Sequence, residues 1–186
     1  MNIFEYLDEI QAELFQKSFE EIEAKYYEVC STIAGIDIEK RIRNINLDIY
    51  QTQLRSSLYE ALHIVNEQSI EAIYFEYDME NDWESTFFVC DEYSSLSEED
   101  DDWASDWIEE VEGPINKEFA YIYQENGFDS TEKAKAVTLF LVVRTVIAFG
   151  TVAQSMKVNV PLCIGFHDQD PIIRIKEYGA YLLFQR

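Results

Sequence analysis

The first third of the chain places apolar residues at the three- and four-residue spacing of amphipathic α-helices. This spacing predicts one long helix over Asn2–Val29, with glutamate and glutamine on its opposite face. Gly35 interrupts the pattern, and the residues that follow, Ile36–Ile45, fit either a helix or a strand; we assign them as a helix. Helical spacing then returns without a breaking residue and predicts a second long helix over Asp48–Glu67.

After residue 70 the pattern changes to short segments rich in aromatic and β-branched residues, which favour strands. Ala72–Asp78 and Ser85–Glu92 flank a turn-forming Met-Glu-Asn-Asp-Trp segment, and together they predict an antiparallel hairpin. Leu162–Asp168 and Pro171–Tyr178 predict a second hairpin, which turns at Gln169-Asp170.

Three further helices are predicted between the two hairpins. The first is an acidic helix over Ser95–Gly113, whose first turn carries the negative charges that a helix dipole favours. The second covers Pro114–Gly127. The third contains the almost wholly apolar stretch Ala136–Ala153, with Asp129 or Ser130 as its N-cap.

The order of these elements is helices, two strands, helices, two strands. Such an order is typical of an α+β fold and not of an alternating parallel β-α-β array. We therefore expect one mostly helical domain over residues 1–186, with a small antiparallel or mixed sheet of about four strands in two hairpins.

The sequence favours a cytoplasmic protein. Its first residues lack the basic region of a signal peptide, and its three cysteines are an odd, widely spaced set typical of free thiols. The apolar stretch Ala136–Ala153 has the minimum length of a membrane span, but Arg144 at its centre makes insertion costly. We interpret it as a buried central helix and expect no membrane contact.

Two partial motifs do not carry a catalytic or metal site. Residues 130–133 match the Ser-x-x-Lys signature of serine acyl-enzymes, but the companion motifs are missing and the segment is an adequate helix start. Asp78, Glu80 and Asp82 have the spacing of the first calcium ligands of an EF-hand, but Trp83 stands where glycine is required. We expect neither a metal nor another cofactor.

The histidines and cysteines leave one catalytic alternative open. Cys163 and His167 share a strand face, but about 13 Å of extended chain separates them, so they cannot form a thiolate–imidazolium pair directly. Cys90 could still meet a histidine from another strand, although a buried structural role is the more usual one for such a cysteine.

Charge is the strongest signal in the sequence. The formal net charge is −23, and the 61 residues from Ser56 to Asn116 contain 19 acidic residues and no Lys or Arg. Such a charge disfavours direct binding to nucleic acid or to an anionic membrane, because both need basic side chains against phosphate. Like charges at this density also oppose folding, which favours a functional use of the acidic surface.

An acidic surface interleaved with aromatic residues is what a tight inhibitor of a basic protein needs, because carboxylates steer association and aromatic rings supply buried contact area. IYFEYDMENDWESTFFVCDE (Ile73–Glu92) and DDWASDWIEE (Asp101–Glu110) have this character. Through these segments the chain resembles the immunity proteins of bacterial polymorphic and contact-dependent toxin systems. The resemblance implies a cognate toxin, often a nuclease, that is bound and neutralised in the producing cell.

Two other classes of function remain open. One is a non-inhibitory interaction protein, such as an adaptor, a chaperone or a mimic of nucleic acid. The other is an enzyme with an unrecognised Cys/His site.

We predict that the partner binds to the first hairpin and the acidic helix. Alternation along the first strand turns Glu76 and Asp78 away from the face that bears Phe75 and Tyr77. Trp83, in the turn, is the predicted aromatic anchor, whereas the other two tryptophans, Trp103 and Trp107, are predicted to be core residues. The predicted contacts are Glu76, Asp78, Glu80, Asp82, Trp83, Glu98, Asp100, Asp101 and Asp102.

Overall fold

The protein is described here by a computed structural model. The structure describes residues 1–67, 70–98, 100–126, 130–167 and 171–177. In these residues six α-helices accompany one five-stranded sheet, with two short 3₁₀ turns between the second and third strands.

The N-terminal segment forms two helices, α1 (Ile3–Leu14) and α2 (Phe19–Ile33), where the apolar spacing predicts one. The break has a local cause. The Ser18 hydroxyl accepts a hydrogen bond from the Glu21 backbone N–H, and the Glu21 carboxylate accepts one from the Ser18 backbone N–H. This capping box satisfies donors that a new helix start leaves open, so the chain begins a second helix without losing its apolar stripe.

The next two helices confirm the sequence prediction. The ambiguous segment forms helix α3 (Ile36–Arg43), and α4 runs over Asp48–Glu67. Helix α5 (Lys117–Glu125) begins three residues after Pro114.

Helix α6 (Glu132–Gln154) has Thr131 as its N-cap. Of the two caps predicted, Asp129 and Ser130, the prediction of Ser130 is therefore wrong. The Thr131 side chain accepts a hydrogen bond from the backbone N–H of Ala134. Gly127 and Asp129 lie outside the described residues.

The sheet is mixed and has the strand order β3-β2-β1-β4-β5. The first predicted hairpin is confirmed by β1 and β2 and the second by β4 and β5, and β1 pairs in parallel with β4. The predicted α+β class is confirmed, with five strands instead of four; Gln169-Asp170 lies outside the described residues. The strands are β1 (Ala72–Asp78), β2 (Glu84–Cys90), β3 (Glu109–Glu112), β4 (Leu162–Phe166) and β5 (Ile173–Lys176).

The acidic helix predicted over Ser95–Gly113 is wrong. The segment instead forms 3₁₀ turns at Leu96–Glu98 and Asp102–Ser105 and then strand β3. A helix would place consecutive acids in like-charged pairs three and four residues apart, which destabilises it. Residues Glu109–Glu112 instead pair with β2 as a strand. In this strand Val111 is buried opposite Phe87, and the three glutamates are exposed.

Helix α6 packs against the helices and against one face of the sheet, called here the inner face. Its Phe149 ring lies 5.0 Å from the Phe75 ring of β1 and 5.9 Å from the Phe87 ring of β2. Within the described residues α6 is the one helix long and apolar enough to cross a membrane, and 89% of its most apolar stretch is buried inside the protein. The predicted buried central helix is therefore present.

The charge at the centre of α6 has a structural use. The Arg144 guanidinium donates hydrogen bonds to the carbonyl oxygen of Ile42, in the last turn of α3, and to that of Ile45, just after the helix ends. It also pairs with Glu23 of α2 at 3.2 Å. Burial lowers the pKa of Arg144, and the Glu23 carboxylate opposes that shift. Arg144 thus joins three helices through an ion pair and through charge-assisted hydrogen bonds to carbonyl groups at the end of α3.

Trp83 is fully buried, which corrects its prediction as an exposed anchor. Its indole stacks on Tyr77 (5.4 Å between ring centroids), and its N–H donates to the Thr145 hydroxyl at 3.1 Å. Two consecutive residues, Asp82 and Trp83, have positive φ angles, and this conformation turns the indole onto the inner face. The strained turn is compensated by the burial of Trp83, the largest of the fully buried side chains among the described residues.

We predict that Trp83→Ala lowers the free energy of unfolding by about 3–5 kcal/mol, because it empties a packed aromatic site. Thr145→Val, which keeps the volume but removes the acceptor of the indole N–H, should cost about 1–2 kcal/mol. Urea unfolding followed by circular dichroism measures both. A Trp83→Ala variant as stable as the parent would contradict the buried position.

Candidate protein-interaction surface

The second face of the sheet, called here the outer face, carries the acidic residues of the strands. Glu76 and Asp78 lie on it, opposite Phe75 and Tyr77, so the predicted orientation of β1 is confirmed. Strand alternation adds residues from β2 and β3 to the same face. The outer-face residues of these two strands are Glu84, Thr86, Phe88, Cys90, Glu110 and Glu112.

One part of the outer face is covered by the segment that links β2 to β3. Trp103 and Ala104 of this segment are buried against Tyr74, Cys90 and Cys163 of the sheet. Trp103 is therefore a core residue, as predicted. An ion pair between Asp101 and Arg174 also fixes the covering segment to the sheet.

Arg174 of β5 is 2% exposed and forms an ion pair with Asp101 of the covering segment, 2.6 Å from Nη1 to Oδ1. The other carboxylate oxygen of Asp101 accepts the backbone N–H of Ile172, and the guanidinium also donates to the carbonyl oxygens of Ile172 and Ser94. Asp101 thus holds the covering segment to the edge of the sheet. Its prediction as a partner contact stays a prediction, beside this structural role.

The remaining part of the outer face is open and negative. Along the register, Thr86 of β2 stands between Glu76 of β1 and Glu112 of β3, and Asp78 is opposite Glu84. Neighbouring strands lie about 4.8 Å apart, so carboxylates from three strands share a surface about 10 Å wide. Since β1, β2 and β3 all fall within the sequence window without Lys or Arg, no basic side chain of these strands balances them.

Glu76 is the carboxylate on this surface with the most defined partners. Its Oε1 lies 3.0 Å from His167 Nδ1, and its Oε2 accepts a hydrogen bond from the Tyr74 hydroxyl at 3.3 Å. Burial, followed by the charge of Glu76, raises the pKa of Tyr74, so this hydroxyl remains a donor. A Cβ at Gly165 would lie 2.6 Å from the Tyr74 hydroxyl, so glycine makes room for the ring.

The acids of the β1–β2 turn lie at the end of the same strands. Asp78 Oδ1 accepts the backbone N–H groups of Glu80 and Asn81, so Asp78 shapes the turn as well as charging it. Glu80 is exposed, and Asp82 faces Lys117 of α5 at 3.9 Å. Asp82 therefore points toward the helical side and not toward the open surface.

The acids after β2 are not joined to this group by the fold. Glu98 accepts two hydrogen bonds from Ser95, which lower the pKa of the Glu98 carboxyl. Asp100 accepts hydrogen bonds from the Ser94 hydroxyl and the Asp102 backbone N–H. These contacts organise the covering segment beside β5, whereas the turn acids lie at the β1–β2 end of the sheet.

Trp107 is the aromatic residue that the sequence prediction missed. It was expected in the core, but it is 46% exposed, and its ring packs on Phe88 of the outer face at 4.5 Å. The prediction fails because it rests on helical spacing from Trp103, and the segment is not a helix. The sequence did contain a signal for this exposure. Acidic residues lie on both sides of Trp107, and the Glu-Glu-Val-Glu segment that follows is typical of an exposed strand.

The cysteines do not support a thiol nucleophile. Cys30, Cys90 and Cys163 are free and buried, and burial raises the pKa of Cys30 and of Cys90 to about 12 and that of Cys163 further. His167 Nδ1 lies 3.0 Å from a carboxylate oxygen of Glu76. In the part of the chain that the structure describes, no three His, Cys, Asp or Glu side chains are grouped to hold a metal ion.

We predict that Asp101→Asn lowers the free energy of unfolding by about 2–4 kcal/mol, because it leaves the buried Arg174 charge without its counter-ion. Asp102→Asn is the matched control, since the Asp102 side chain is exposed and should contribute less than about 0.5 kcal/mol. Equal stability of the two variants in urea would contradict a structural role for the Asp101–Arg174 pair.

The three thiols should be unreactive in the native protein. At pH 8 a thiol with a pKa of about 12 is ionised in about one molecule in ten thousand, and burial also blocks the reagent. Reaction with a coloured disulfide reagent should therefore release no thiolate on a timescale of minutes until denaturant exposes all three cysteines. Rapid reaction of one thiol without denaturant would refute the buried assignment.

Comparison with protein-family models, with curated proteins and with solved structures found no match to this chain. The outer face itself carries the features that bear on function: its charge, the exposed Trp107 ring and its position on the sheet.

Proposed function

We propose that this protein binds and neutralises a basic protein partner through the open part of its outer sheet face. The observation that supports the proposal is the one-sided sheet: helices fill the inner face, and three neighbouring strands present carboxylates on the other face without a Lys or Arg among them. Within that character, an immunity protein that inhibits a cognate bacterial toxin, such as a nuclease, is the function we favour. Its place of action would be the cytoplasm.

Physical chemistry gives such a surface a clear use. A dense field of one sign attracts an oppositely charged protein from solution and raises the rate of productive encounters. If the partner is a nuclease, its active site is built to hold phosphates, and carboxylates on a rigid sheet can occupy the same positions. The same charge would repel nucleic acid and anionic membrane, so we expect contact with neither.

The sheet also provides rigidity. Glu76 is fixed by Tyr74 and His167, and Asp78 by the turn that it closes. Side chains that are already ordered lose little entropy when a partner binds, so more of the electrostatic attraction remains as affinity.

We predict that removing three outer-face charges, with Glu84→Gln, Glu110→Gln and Glu112→Gln, slows association with the partner by about tenfold or more at low salt. Glu5→Gln, Glu20→Gln and Glu118→Gln form the matched control, since they remove the same charge from exposed helix positions. The control should associate at nearly the parent rate. Stopped-flow mixing between low and physiological salt measures both, and equal rates for the two triple variants would contradict the proposed surface.

The inhibitory function is tested by co-expression. The first candidate partner to test is any basic protein encoded in a neighbouring gene, and the expression of a true partner alone should arrest growth. The parent chain should restore growth, the helix-control triple variant should restore it equally, and the outer-face triple variant should not. Growth arrest that the parent chain leaves unrelieved would count against an immunity function.

A further inference from the structure

We propose that the open outer face contains an arginine-binding site, formed by the Trp107 indole and the Glu110 carboxylate, which receives an arginine side chain of the basic partner. This inference rests on the proposed function and specifies the chemical group by which the partner is recognised. It concerns a region of the sheet that the described residues leave open, and its occupant is indicated by charge complementarity and by an exposed aromatic ring.

The indole is presented on one side only. One side of Trp107 packs on Phe88, whose ring in turn stacks on Tyr74 (6.1 Å, 24° between planes), while 46% of the residue remains exposed. A row of packed rings therefore ends in an indole that is about half exposed. Tryptophan contributes large contact areas at the centres of protein interfaces, so an indole left open at this position is suited to a partner group.

The position of Trp107 is fixed by its neighbours in the chain. On one side Trp103 and Ala104 are buried against the sheet, and on the other the Ile108 backbone N–H donates to the Val89 carbonyl at 3.0 Å. The backbone that carries the indole is thus held at both ends. A preformed ring requires little ordering when a ligand binds, which favours affinity.

A carboxylate lies next to this row of rings. Glu110 is directly opposite Phe88 in the register, and opposite residues on one sheet face have Cβ atoms about 5 Å apart. Glu110 therefore stands beside the ring on which Trp107 packs. Asp106, which precedes Trp107 in the chain, is exposed.

This combination fits arginine better than other groups. A guanidinium is planar and weakly hydrated, so it can stack on an indole while its N–H groups reach a carboxylate at the ring's edge. A lysine ammonium is more strongly hydrated and lacks the planar surface. A second copy of this chain is a poor occupant, because each copy carries a net charge of −23.

The site can be tested with a defined probe, the capped peptide acetyl-Gly-Arg-Gly-Arg-Gly-amide, by following the three indole N–H signals of the ¹⁵N-labelled protein. The Trp107 signal, assigned with Trp107→Phe, should shift as peptide is added, whereas the signals of buried Trp83 and Trp103 should remain in place. The matching lysine peptide carries equal charge and should bind more weakly. A Trp107 signal that does not move at saturating arginine peptide would overturn the proposal.

Variants separate the ring and the carboxylate from general attraction. Trp107→Leu should weaken arginine-peptide binding about fivefold, and Glu110→Gln about threefold at low salt. Tyr121→Leu and Glu118→Gln, at exposed positions of α5, are the matched controls and should leave binding unchanged. If all four variants bind equally well, or if the lysine peptide binds as tightly as the arginine peptide, there is only diffuse attraction and the proposal fails.

The outcome is distinguishable from that of the proposed function. Arginine-peptide binding at Trp107 with no rescue of growth would preserve this site and reject the immunity function. In the opposite case, a Trp107→Leu variant rescues growth, associates rapidly and binds the partner as tightly as the parent does. That result would preserve the function and reject this site.

Discussion

The packing of Phe149 against Phe75 and Phe87 is the contact on which the rest of the structure depends. It brings the most apolar helix of the chain onto one face of the sheet and makes that face the centre of the core. Because side chains of a strand alternate between two faces, Glu76, Glu110 and Glu112, which adjoin inward-facing residues along their strands, are turned to the opposite face. The acidic outer face is thus the direct consequence of how the core is filled.

The few basic side chains with buried guanidinium groups are used inside the structure and not on this surface. Arg144 binds the carbonyl groups at the end of α3, and Arg174 holds the segment that covers part of the outer face. Each satisfies several acceptors at once, as the planar guanidinium group allows. A chain with 14 basic residues against 37 acidic ones therefore keeps an unbalanced field on its open sheet face.

Local patterns in the sequence were sufficient for elements whose period is unambiguous. The bounds of α4 and the pairing of β1 with β2 follow from spacing and alternation alone, and the orientation of Glu76 and Asp78 follows from the same alternation. The burial of Trp83 could also have been predicted, since Phe87 and Val89 face inward and Trp83 lies four and six positions before them, on the same side of an extended strand. Its place in a turn suggested exposure instead, and two positive φ angles made burial possible.

Elements decided by distant contacts could not be obtained in this way. Strand β3 exists because β2 offers it a partner, and the acidic residues before it have helical spacing when they are considered alone. Asp101 became structural because Arg174, 73 positions later, lies beside it. For the same reason the exposed aromatic ring of the surface proved to be Trp107 and not Trp83: its position depends on tertiary pairing, which local periodicity does not contain.

The central claim is that the outer sheet face binds the partner while the helices serve as scaffold. Amide hydrogen exchange of the chain, free and bound to its basic partner, tests this claim most directly because it covers both sides of the molecule in one measurement. The account predicts added protection in β2, in β3 and in the Asp106–Ile108 segment that carries Trp107, with α3 and α5 unchanged. Added protection concentrated in α3 and α5, where Arg41 and Lys117 line an open cleft with Tyr121, and absent from the sheet, would contradict it.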